Sequence, residues 1–149
     1  MRHSWILIPV LLLFLPGCGP SAEEQRVAAE TKATQARLDK AISAARKHFG
    51  IKVKAGNWGT WPVSSITGEV GKYDPTTFTV SVKMDVPPLE AREIIAKSIE
   101  MQRKIIGWNA CPSRTDEIWA AFGSDDQLIA NPAISGTIFT DIDCRREGL

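Results

Sequence analysis

The 149-residue chain is predicted to be α+β, with an N-terminal stalk helix and then a small antiparallel sheet of about four strands covered by one helix. Three observations predict it. A charged, alanine-rich segment from Ala22 to Phe49 carries large aliphatic and aromatic residues almost only in its second half. "TFTVSVKMD" (77–85) alternates apolar and polar residues with the period of a strand that has one wet face. "VPPLEAREIIAKSIEMQRKIIG" (86–107) has a helical period, two prolines at its start and a glycine at its end. The order helix, strand, strand, helix, strand, strand then suits one helix lying on an antiparallel sheet.

The first element precedes the domain. "WILIPVLLLFL" (5–15) is almost wholly apolar and follows Arg2, a charged start and an apolar run of the length of a secretory signal. A bilayer-spanning helix needs about 20 apolar residues, and Pro9 and Pro16 argue against a buried core helix. Within it, Leu15-Pro16-Gly17-Cys18 resembles the lipobox of bacterial lipoproteins: Leu15, Gly17 and Cys18 match, and Pro16 stands where a small or β-branched residue is usual. The resemblance covers only this N-terminal segment. It implies cleavage before Cys18, a diacylglyceryl group on its sulfur and an acylated amine. Gly19, rather than Asp, after the cysteine resembles the pattern sorted to the outer membrane, facing the periplasm. Each buried methylene contributes about 0.8 kcal/mol, so two or three chains on one cysteine make attachment effectively permanent. Residues 1–17 are therefore read as signal peptide, 18–36 as a lipid-anchored tether with an exposed helix half, and 37–149 as the folded domain.

In such an exported, oxidising setting Cys111 and Cys144 remain as an even pair, and one structural disulfide is expected. It would stabilise by about 3–4 kcal/mol in the chain-entropy model. Thiols that bind metal would need a second ligand pair, which the spacing does not supply.

Ser21 and Glu24 form a capping box for the stalk helix, Glu23 and Glu24 suit its positive start, and Arg46, Lys47 and His48 its negative end before Gly50. Leu38, Ile42, Ala45 and Phe49 recur at helical spacing, so the second half is expected to dock on the domain. A weak heptad with Thr and Ala at the seam makes self-association the poorer reading. Ile51 and Val53 suit a short strand. Ile66, Gly68 and Val70 alternate in another, joined through the turn Tyr73-Asp74-Pro75-Thr76 to the strand carrying Phe78, Val80, Val82 and Met84 on one face. The second helix offers Ala91, Ile94, Ile95, Ser98, Met101, Ile105 and Ile106 for packing. "EIWAAFG" (117–123) and "SGTIFTDIDC" (135–144) are read as the last two strands. In the latter Ile138, Thr140, Ile142 and Cys144 share one face, and Asp141 and Asp143 the other.

Chemistry-bearing patterns are sparse. Without Arg2 the chain holds 17 basic and 17 acidic residues, a balance that argues against nucleic acid as a partner. The remaining histidine, His48, sits at a helix end and reads as a cation on the dipole. No nucleophile elbow, phosphate loop or zinc-helix motif occurs, and no cofactor or metal is expected. Asp125-Asp126 reads as a turn, and Asp141 with Asp143 as a solvated strand face. "GNWGTWP" (56–62) stands out because Trp58 and Trp61 lie between glycines and a proline. The pair suits two roles: capping the sheet, the simpler one, or contacting a ligand or partner together with Tyr73. Trp108 and Trp119 are read as core or rim.

The sequence thus predicts a non-catalytic lipid-anchored envelope protein, an interaction or accessory subunit of an envelope, secretion or transfer system. The alternatives are a binder of a small ligand or cell-wall glycan through Trp58 and Trp61, and a carboxylate hydrolase.

Overall fold

The computed structural model describes residues 19–50, 52–54 and 60–147. They form α1 (Ala22–Phe49), β1 (Lys52–Lys54), β2 (Thr60–Val70), β3 (Phe78–Asp85), α2 (Pro88–Ile95), α3 (Ile99–Ala110), a 3₁₀ turn (Glu117–Ala121), β4 (Gln127–Ile134), β5 (Thr137–Ile138), β6 (Ile142–Asp143) and α4 (Cys144–Glu147). The fold is α+β.

Helix α1 begins as its sequence dictates. The Ser21 hydroxyl accepts from the Glu24 amide at 3.2 Å, and the Glu24 carboxylate accepts from the Ser21 amide at 2.6 Å. The Ser21 amide first, and the neighbouring Ser21 hydroxyl second, hold the Glu24 carboxyl below its ordinary range. Its first three turns lie in solvent apart from half-buried Glu30, supported by Arg26 bridging Glu23 and Glu30 at 2.6 and 3.0 Å. Contact with the domain starts at Thr34 and continues through Leu38, Ala41, Ala45 and Phe49. Gly50 ends the helix at φ 56°, where an L side chain would be strained, and donates its N–H to Arg46 O.

Strands β2 and β3 form the expected antiparallel hairpin, with Gly68 opposite Val80. Gly68 is needed for helix approach, since a Cβ there would stand 2.5 Å from Leu38 Cδ1. Burial along β3 alternates without a break, putting Phe78, Val80, Val82 and Met84 inside. Beyond this hairpin the sheet is mixed rather than antiparallel throughout. β3 pairs in parallel with β4, and the strand order is β1-β2-β3-β4-β5, with β6 also on β4. The connection carrying α2, α3 and the 3₁₀ turn is long enough to return the chain to the same end of the sheet.

Four local expectations are corrected. The second helix is two, because Ser98 caps a new start by accepting from the Met101 amide at 3.3 Å. Gln102 Nε2 then donates to the free carbonyls of Ile95 and Lys97 at 3.1 and 2.9 Å. Gly107 does not end α3, which runs to Ala110; a Cβ at 107 would meet Glu147 O of α4 at 2.7 Å. "EIWAAFG" is not a strand: Glu117–Ala121 form the 3₁₀ turn, with the Trp119 amide donating to Asp116 O at 3.2 Å and the Phe122 amide to Trp119 O at 3.1 Å. "SGTIFTDIDC" splits into the stubs β5 and β6, both antiparallel to β4.

Strand β4 was not evident because Pro132 and Asn131 lie in its middle. Successive residues of a strand turn their polar groups to opposite sides. Ala133 O accepts from Val86 N on the β3 side, so Pro132 faces the other way, where its carbonyl accepts from Phe139 N. That side has no ladder partner between the β6 pairing, which ends at Ala130, and the β5 pairing, which starts at Ala133. The missing N–H of proline falls in this gap.

Candidate functional site

Cys18 and Trp58 lie outside the described residues. Trp61 lies in β2 and is fully buried in the core, and its indole N–H donates to Glu90 Oε2 at 2.7 Å. Tyr73 is 92% exposed on the hairpin turn, with Lys72 Nζ 5.5 Å from its ring centre. Trp61 and Tyr73 therefore do not form a common contact surface. Cys111 and Cys144 form the disulfide, Cα atoms 5.2 Å apart, tying the end of α3 to the start of α4.

The carboxylates that drew notice in the sequence have separate partners. Asp141 Oδ1 accepts from Asn131 Nδ2 at 2.6 Å, and Asp143 Oδ1 from the Arg145 amide at 3.0 Å. Asp126 is not an exposed turn residue. It is buried, accepting from the Phe78 amide at 3.2 Å, from the Gly123 amide at 2.6 Å and from Arg37. His48 lines a recess with Asp116 and Glu117, its ring edge-on to Phe49 at 4.9 Å. Among the described residues no group of three or more His, Cys, Asp and Glu side chains is placed to hold a metal ion, and no helix is long and apolar enough to cross a membrane.

Among the charged residues that α2 and α3 leave outside are several large apolar ones. Leu89 and Ile99 are each 72% exposed, Trp108 57%, and Ile95 and Met101 nearly half. Helix α3 buries Ile106, Gly107 and Ala110 on one side. On another, Met101, half-buried Ile105 and Trp108 recur at i, i+4 and i+7, one stripe of an α-helix. The exposed Glu100–Lys104 pair, 2.7 Å apart, flanks it. Trp108 is thus neither core nor rim. A helix that ends at Gly107 leaves Trp108 outside it; the run of α3 to Ala110 is what adds Trp108 to this stripe.

Comparison with protein-family models, with curated proteins and with solved structures finds no match for this chain.

Proposed function

We propose that this protein is a lipid-anchored envelope protein that acts without catalysis, docking a protein partner on the exposed apolar stripe of α3. The observation that carries the reading is that stripe, Met101 and Trp108 with half-buried Ile105 between them. Water-exposed Trp and Met on one helix stripe mark surfaces that another protein covers. The signal-like start, the Cys18 motif and the Cys111–Cys144 bridge support an exported setting. The solvated first half of α1 suits a tether of about 18 Å at 1.5 Å per residue.

Two experiments test it. A photo-crosslinking residue at 108 in intact envelopes should give one discrete protein adduct, lost in a Met101→Asp background and absent when the probe replaces Thr67 on the opposite sheet face. Equal labelling from 67 and 108 would overturn the docking face. Radiolabelled palmitate should enter the wild-type chain and not Cys18→Ser. A labelled, membrane-bound Cys18→Ser chain would overturn the anchor.

A further inference from the structure

A second surface feature is independent of that docking face. Between the segment leading into the 3₁₀ turn and α4 lies a recess of about 410 Å³ lined by Arg114, Trp119, Cys144 and Arg145. Its walls are fixed. The Trp119 indole N–H donates to Ser113 O at 2.7 Å, the Ser113 amide donates to Asp116 Oδ2 at 2.6 Å, and the disulfide holds Cys144 beneath. Arg145 lies with Cζ 5.1 Å from the centre of the Trp119 ring.

The arginine is poorly satisfied. Its Nε is buried and has no hydrogen-bond partner, and neither Arg145 nor Arg114 has an ion-pair partner among the described residues. The carboxylates nearby in sequence are committed. Asp143 accepts from Arg145's own amide, Asp116 from the Ser113 amide, and Glu147 pairs with Arg103 at 3.0 Å. Glu117 faces the separate recess beside His48. A guanidinium held against an aromatic face with a buried, unpaired donor lacks the planar oxyanion that its fork of donors matches.

We propose that this recess binds an oxyanion, a carboxylate or a phosphate group, with the Arg145 guanidinium as the main ligand and Arg114 as a second cation. Trp119 sets the plane of the guanidinium, and the disulfide sets the distance between the two walls.

The test uses the full chain in non-ionic detergent, with inorganic phosphate and N-acetylglycine as separate probes and chloride at matched ionic strength as control. The Arg145 Nε–H and Trp119 indole N–H resonances should shift saturably with at least one oxyanion and not with chloride. The better probe identifies the source, phosphate or a terminal carboxylate. Arg145→Met should weaken binding roughly tenfold to a hundredfold, the loss of one or two charge-assisted hydrogen bonds. The solvent-exposed Arg114→Met, which leaves the core untouched, should weaken it roughly fivefold, as loss of a second cation does. Shifts identical with chloride, or unchanged affinity in Arg114→Met and Arg145→Met, would overturn the proposal.

Discussion

Two arginines stand at the ends of one row of aromatic rings. Arg37 lies 5.3 Å from the centre of Phe78, Phe78 packs on Phe122 at 5.6 Å, Phe122 on Trp119 at 5.6 Å, and Arg145 lies 5.1 Å from Trp119. Arg37 is satisfied: it donates to buried Asp126 and to Thr76 O at 3.1 Å, joining the tether helix to the hairpin. Arg145 has the same aromatic seat and, among the described residues, no carboxylate partner. Stacking on a ring does not distinguish a structural arginine from a binding one; the supply of acceptors does. At the Arg37 end Asp126 also takes two backbone N–H groups, so its removal exposes three donors at once.

That contrast breaks most visibly at Asp126. Asp126→Ala should cost about 2–5 kcal/mol, because the Phe78 and Gly123 amides lose a shared charged acceptor along with Arg37, read as a thermal midpoint lowered by roughly 10–20 °C. A shift of only a degree or two would mean that Arg37 is no better held than Arg145. Next in size, Glu90→Ala leaves the buried Trp61 N–H without its acceptor and should cost about 1–3 kcal/mol by urea titration. The direct comparison is smaller and decides more. Arg37→Met should cost about 1–3 kcal/mol because Asp126 is then left buried without its cation, whereas Arg145→Met should lie within about 1 kcal/mol of wild type, since methionine keeps the contact with Trp119 and removes an unpaired charge. Equal losses would erase the distinction. The smallest effect belongs to the outer end of α1. Glu24 has a lowered pKa in the folded chain, so its contribution is present above the unfolded value of about 4.3 and lost as pH falls through the folded one. The Ser21 amide resonance should move toward its unbonded position in acid, while core resonances stay in place.

The parts legible in the sequence are those set by neighbours along the chain. The Ser21–Glu24 box, the glycine after Phe49, the alternation of Phe78 to Met84 and the Asp74 turn all depend on residues a few places apart. The bridge between Cys111 and Cys144 followed from counting and compartment. What could not be read depends on long-range placement. Asp126 looks like any turn carboxylate until Arg37, 89 positions away, and Phe78 are brought to it. Ser98 falls by spacing on the packed face of one helix, yet its hydroxyl starts a second helix. Nothing along the chain singles out Arg145; its significance comes from Trp119 and from carboxylates used elsewhere.

The gap opposite Pro132 also governs how the molecule can meet others. On that side the sheet stops in two stubs of two residues each rather than one continuous rim. A visiting strand finds no unbroken row of backbone donors and acceptors there, and proline removes one donor from the middle. Such a broken rim disfavours edge-to-edge pairing with copies of the same chain.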